Sequence, residues 1–460
     1  MEITAWSMFI DIGFASLLLL IGMILRAKVS LFQKLFLPAS ITAGMIGLLL
    51  GPNGLNILPF SNQIGVYPAI LIAVIFGALP LSSEKVKWKE VAKRIGGLWS
   101  FSQVVMICLW GGGLLFSLLL LNNFWGDLHQ GFGVLLAAGF AGGHGTAAAI
   151  GASFESHGWA DATSIGMTSA TIGILSGIIG GMIFIKVASR KGFFTPLTNM
   201  NLSTSLVKGL IPAKSRKNVV IDTVSSISID PLIFHVAIVI LIGMGGYYLS
   251  QWGAALLPMV ALPAFSLAFI LGNFVKKLLE STKSDEYVSK ELISKISGSA
   301  TDLLVVFGIS SISISVVANY LVPLIILMIF GIVYSYLCCT YLSRHYFKEN
   351  WFEKGLFTWG WLTGSVATGI ALLRIADPEM ETKTLDDFGL AYIPIAPIEI
   401  AIVTFTPLII VSGYSWAYIL ATLGFGLIVY GIARLNKWTV QPLSNRKIPE
   451  IGNTSEKEMK

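Results

Sequence analysis

Long apolar runs separated by short polar stretches recur along the whole chain. They predict crossing helices near 6–25, 36–51, 66–82, 97–121, 160–185, 231–250, 255–273, 301–318, 322–342, 388–411 and 414–433, since about 20 apolar residues in a helix match the hydrocarbon core of a bilayer. Two further apolar segments, 132–154 and 355–375, are interrupted. The first carries Gly139-Phe140-Ala141-Gly142-Gly143-His144-Gly145-Thr146. Each interior glycine costs a helix about 1 kcal/mol relative to alanine, so this segment is expected to break near Gly142. Broken backbone at membrane depth is tolerated when buried in protein or lining a wet cavity, where its amides and carbonyls can hold a substrate or ions. The same glycines also make flat surfaces for close helix packing, and both readings stand at this point.

Composition agrees with the pattern. The chain is 55% hydrophobic and only 12% charged, with a mean hydropathy of +0.77, against about 25% charge in a soluble globule. An all-α polytopic membrane protein is expected. Cys108, Cys338 and Cys339 all fall in apolar segments and imply no disulfide framework. The first run follows Glu2 rather than a basic region and ends without a small-residue cleavage site, so it reads as a retained helix and not a signal peptide.

A net charge of +6 would suggest nucleic acid in a soluble protein; here the lipid bilayer is the partner, and the charge is read from the loops. Arg26, Lys28 and Lys34 follow the first helix; five Lys and Arg lie in 85–94, none in 122–159, seven in 186–217 and five in 276–295. Arg344, Lys348, Lys354, Arg374 and Lys383 follow, and the last six lie from Arg434 onward. If both interrupted segments are re-entrant hairpins, leaving on the side they entered, all 31 fall on one side. The positive-inside rule makes that side cytoplasmic, with the N-terminus outside and the C-terminus inside.

The chain also repeats. Leu37-Pro38-Ala39-Ser40 opens the second helix and Leu262-Pro263-Ala264-Phe265 the corresponding later one, 225 residues on; Gly145-Thr146 and Gly364-Ser365 are 219 apart. One half starts outside and the other inside, so the repeats are inverted, and paired interrupted segments at matching places point to a secondary transporter site. The expected organisation is a first repeat over 1–185 and a polar cytoplasmic linker over 186–230. A second repeat over 231–411 and an extra helix with a cytoplasmic tail over 412–460 complete it. Each repeat has about five crossing helices and one hairpin.

Several side chains could carry the work. At the first break, His144 can bind substrate, carry protons or hydrogen-bond to local backbone, and Thr146 adds a hydroxyl. Half-helix N-termini attract carboxylates, while freed carbonyls and hydroxyls suit a hard cation such as sodium. At the second break, Thr363, Gly364, Ser365 and Thr368 are ligand candidates, or the hydroxyls satisfy nearby backbone. Glu399, after Pro394 and Pro397 in an apolar run, is a functional candidate because an intramembrane carboxylate is costly. It reads as a sodium ligand, a proton-coupled acid or a neutral structural residue. Asp302 is placed at a helix start, where it can serve as a cap. Asp11 can pair internally or sit at the outer interface, and Arg374 can snorkel or meet an anion. The small residues of 168–181, Thr171 among them, should pack tightly on the hairpin. No Walker-type loop, paired-cysteine or HExxH motif is present, so no cofactor, catalytic metal or enzyme activity is expected.

Ala141-Gly142-Gly143-His144-Gly145-Thr146-Ala147-Ala148, followed by Ala170-Thr171-Ile172-Gly173 and Gly180-Gly181, resembles the bacterial sodium/glutamate symporters. There a Ser-Gly-Gly-His-Gly-Thr-Gly run precedes an Ala-Thr-Phe-Gly helix ending in Gly-Gly. Phe9-Ile10-Asp11 and the proline-led second helix are similar too. The resemblance implies a homodimeric, inner-membrane importer of glutamate coupled to Na+, with a hairpin-bearing transport domain moving elevator-fashion against a scaffold. It places functional residues at Gly142, Gly143, His144, Gly145 and Thr146. The second half departs: a Gly-Phe-Gly-Leu-Gly-Ala-Thr-Pro-Thr-Ala type run is replaced by Gly360-Trp361-Leu362-Thr363-Gly364-Ser365-Val366-Ala367-Thr368-Gly369. Sodium, with Thr146, Ser365, Glu399 and backbone carbonyls as ligands, and glutamate or a related small anion are therefore the leading expectation. A same-fold carrier for another organic anion, proton coupling, and a channel or sensor are the alternatives.

Overall fold

The computed structural model describes residues 4–34, 37–61, 63–82, 88–191, 208–211, 223–256, 263–377 and 381–439. All regular structure among them is helical. The principal helices are α1 (Ala5–Lys28), α2 (Ala39–Leu50), α3 (Tyr67–Ser82), α4 (Trp88–Phe116), α5 (Val134–Phe140), α6 (Gly143–Ser156) and α7 (Ala162–Arg190). They continue as α8 (Pro231–Leu256), α9 (Ala264–Ser281), α10 (Lys290–Ser310), α11 (Leu321–Leu337), α12 (Trp351–Thr363), α13 (Val366–Ala376), α14 (Thr384–Val411) and α15 (Ser415–Leu435). Among the described residues, nine helices are long and apolar enough to cross a membrane, which makes this a multi-pass membrane protein. Most of the linker expected over 186–230 lies outside the described residues, as do Leu262 and the tail from 440; the beginning of that stretch is the end of α7.

Four expected helices need correction. The one placed at 255–273 is Ala264–Ser281, α8 having run on to Leu256, and the one placed at 97–121 already begins at Trp88. The run at 36–51 forms a helix of only 12 residues, about 18 Å long, because Pro38 caps its start and Gly51 ends it. The helix placed at 301–318 instead begins at Lys290, capped by the Ser289 hydroxyl on the Leu292 amide, and ends at Ser310. Asp302 is therefore inside a helix and caps nothing. The polar stretch Ser294–Ser299 reads as loop by hydropathy, yet is helical because its neighbours Leu292, Ile293 and Ala300 are buried.

The helices sort into two bundles. In one, α3 packs on α8, α9 and α10, α2 packs on α1 and α10, and α8 packs on α9. In the other, α4 packs on α5, α14 and α15, and α7 runs against α5, α6, α12 and α13. The bundles meet where α6 touches α3 and α10, and where Ser266 and Thr404 hydroxyls stand 2.6 Å apart between α9 and α14. Matching features recur at similar spacing. Pro38 and Pro263 are both N-caps with φ near −60° (−56° and −62°). Both α4 and α11 run into π-helical turns, Ser117–Leu121 and Cys338–Leu342.

Asp11 is a structural residue. Its buried carboxylate accepts from the Ser61 amide (2.8 Å), the Ser61 hydroxyl (2.6 Å) and the Tyr67 hydroxyl (2.8 Å). Three donors satisfy a carboxylate that would otherwise be costly to bury, and they fasten α1 to the segment leading into α3.

Candidate functional site

The first interrupted segment folds as two half-helices, α5 and α6, with the break at Ala141-Gly142. The amides of Ala141 and Gly142 both close back on the Ala137 carbonyl (3.0 and 3.3 Å), which ends α5. Two glycines then become obligatory for different reasons. Gly143 has φ +65°, a left-handed conformation that costs other residues about 1–2 kcal/mol. Gly142 has the Thr146 side chain lying directly where a Cβ would stand. No side chain caps α6, so its first amides and the positive end of its dipole face the break. Open space lies beside Gly145.

The second segment breaks at Gly364-Ser365, between α12 and α13. Here the Ser365 hydroxyl accepts from the Thr368 amide (3.2 Å) and lies 3.1 Å from the Thr368 hydroxyl, capping α13. The Thr363 hydroxyl donates to the Trp359 carbonyl at 2.7 Å and is fully buried. Thr363 therefore satisfies local backbone, and Ser365 is the half-buried hydroxyl of this break.

The two breaks meet. A Cβ on Gly143 would stand 3.0 Å from the Gly364 carbonyl oxygen. Helix α7 is the common seat: Gly139 packs on Ser169 and Ala170, the Thr363 carbonyl lies on Gly173, the Thr363 hydroxyl is against Gly177, and the Trp359 ring covers Gly180. The Trp359 indole N–H donates to the Gly177 carbonyl at 2.8 Å. Trp359 was not singled out from sequence; an aromatic residue one turn before Thr363, opposite a glycine-rich helix, is the signal that marks it.

His144 is buried, and its Nε2 is 3.1 Å from the Thr171 hydroxyl oxygen. Thr171 donates its own proton to the Met167 carbonyl at 2.9 Å. A hydroxyl has one proton to give, so the imidazole must donate from Nε2. In the neutral ring this leaves Nδ1 as an acceptor.

Glu399 stands apart. It lies inside α14, whose helix continues through Pro394, Pro397 and Pro407, and its carboxylate accepts from the Tyr392 hydroxyl at 2.7 Å rather than from a group at either break. Its helix packs on α6. Arg374 is within α13; its side chain lies outside the described residues. Of the residues expected at the site, Gly142 to Thr146, Thr171, Thr363, Gly364, Ser365 and Thr368 come together, and Glu399 joins them only through its helix.

Among the described residues, nine apolar helices and two interrupted segments whose breaks lie against each other define a multi-pass membrane protein. More particularly, the chain belongs to the sodium/glutamate symporter family, whose model matches residues 5–350. No curated protein and no solved structure matches it. The family match covers the first break, His144 and α7, and stops one residue before α12. The second break and Glu399 lie beyond it.

Proposed function

We propose that the protein takes up glutamate, or a closely related small anionic amino acid, in symport with sodium across the bacterial inner membrane. The observation that carries this reading is the tip-to-tip approach of the two breaks at Gly143 and Gly364. It puts an uncapped helix N-terminus next to freed carbonyls, so opposite charges can be held side by side. The amides of Gly143, His144 and Gly145 suit a substrate carboxylate, with His144 Nδ1 as an acceptor for its ammonium group. Carbonyl oxygens at the ends of α5 and α12, with Thr146 and Ser365, suit sodium. Glu399, carried by α14 where that helix packs on α6, is the acidic residue assigned to sodium coupling. Thr171 positions His144, and Thr363 and Thr368 hold the second break.

The interrupted segments act as re-entrant hairpins of two inverted repeats. The matching N-cap prolines, the π-turns 221 residues apart and the breaks at Gly143 and Gly364, also 221 apart, support this. The bundle holding both breaks is the moving body of an elevator and the α1–α3, α8–α10 bundle its scaffold, in a homodimer with the N-terminus outside.

A competition panel in proteoliposomes tests the substrate. Excess L-aspartate and other anionic amino acids are expected to suppress labelled L-glutamate uptake, and neutral amino acids to leave it unchanged. Suppression by dicarboxylates lacking an amino group would instead favour a carrier of organic anions.

A further inference from the structure

Asp302 is absorbed by neither the site nor the fold. It lies 12 residues into α10, about 18 Å along the helix axis, and is exposed. Among the described residues its carboxylate has no hydrogen-bond or ion-pair partner. Ser294, Gly298, Thr301, Val305 and Gly308 share one face of α10, by the spacing of an α-helix, and Asp302 borders it. At the far end this face is closed. Leu304 to Ser310 are all buried, Gly308 packs directly on the Met167 methyl of α7, and the Ser313 amide donates to the Ser164 hydroxyl at 3.1 Å.

Nearer the helix start the same face is open. Ser294, Gly298, Thr301 and Asp302 are exposed, as are the adjoining Lys295 and Ser299. Nothing comes within 4 Å of a Cβ on Gly298. Lipid is a poor cover for this half, because Asp302 lies in the middle of a helix long and apolar enough to span a membrane, Lys290–Ser310, and an ionised carboxylate is strongly disfavoured in hydrocarbon. Water fits it. Met167, on which Gly308 packs, holds the Thr171 hydroxyl at its carbonyl, and Thr171 stands against His144, so this face of α10 leads towards the first break.

We infer that this face of α10 lines a water-filled cleft open to the cytoplasm, and that Asp302 is a cation station on the path by which sodium leaves the hairpin site. The Thr301 hydroxyl donates to the Ser297 carbonyl at 2.8 Å, which leaves its oxygen lone pairs to face the same ion. Lys295 and Glu291, nearer the cytoplasm, are the other charged groups on this side of the helix, about 10 and 16 Å from Asp302 along the axis and beyond direct contact. The inference rests on the sodium-coupled reading above for the identity of the ion, but the cleft itself does not depend on the solute.

Cysteine labelling reads the cleft directly. In Asp302→Cys, a membrane-impermeant cationic thiosulfonate is expected to react in inside-out vesicles and not in right-side-out ones, with the parent chain as blank, and sodium is expected to slow the reaction. Reaction from neither side, or equally from both, in protein that reaches the membrane would overturn the cleft. Sodium dependence reads the station. Asp302→Asn is expected to raise the half-saturating sodium on the cytoplasmic side roughly fivefold, the effect of losing one partly screened charge. The external value is expected to hold, and Asp302→Glu to restore the internal one. Equal shifts on both sides, or none, would overturn it. A wild-type protein that fails to move glutamate would defeat the proposed substrate while leaving the labelling pattern to decide the cleft.

Discussion

At Gly143 a single dihedral angle fixes the site, because φ +65° places the tip of α6 against the Gly364 carbonyl. Gly143→Val is expected to abolish uptake while membrane insertion, read by protease accessibility, stays normal; wild-type uptake by that variant would remove the break from the mechanism. Thr171 matters by holding His144. Thr171→Val leaves the imidazole Nε2–H without its acceptor, a loss of about 1–3 kcal/mol for a buried polar group. Uptake is therefore expected to fall about tenfold or more, and Thr171→Ser to retain most of it. At this scale the sequence was informative for the first break and weaker for the second. The Gly-Gly-His-Gly-Thr run marked the place of the break, whereas the Thr363 hydroxyl goes to the Trp359 carbonyl. Which hydroxyls face inward depends on rotamers that spacing does not set. Glu399→Gln is expected to raise the sodium needed for half-maximal uptake; an unchanged sodium curve would make the Tyr392 bond its whole role.

Helix α7 seats both breaks on its small residues. Gly173 and Gly177 admit the Thr363 carbonyl and side chain, and Gly180 admits Trp359, so the second break can sit against the first. Gly173→Ala puts a methyl where the Thr363 carbonyl now lies. It is expected to separate the two breaks and reduce uptake at least tenfold, with the detergent-solubilised protein melting at lower temperature; an Ala variant with unchanged uptake and melting would show that the seat is not needed. The tight packing of 168–181 was readable from its run of Gly, Ala, Ser and Thr, but its partner was not. Helix existence was likewise readable from hydropathy, with α3, α7, α14 and α15 close to their expected limits. The start of α10 was not, since its polar turns are held in the helix by tertiary burial on the opposite face. The π-turns also left no mark in the periodicity, because a single wider turn does not alter a run that is apolar on nearly every side.

The two bundles give the molecule its logic, one holding both breaks and the other framing it through α2, α3, α8, α9 and α10. The matched prolines were legible, since Pro38 and Pro263 do the same job at the start of α2 and α9. The extent of kinship was not legible evenly: the family match ends at residue 350, where the sequence of the second break also departs from the pattern. The half of the site that reads as divergent is thus the half in which solute choice is expected to differ. Coupling of solute to sodium is expected to lie at the joined breaks. It is tested most directly by labelled L-glutamate uptake into proteoliposomes under an inward sodium gradient, and again with potassium replacing sodium. Accumulation above the external concentration with sodium, abolished by potassium and by dissipating the gradient, is the expected result. Uptake that only equilibrates, or that proceeds equally in potassium, would contradict it.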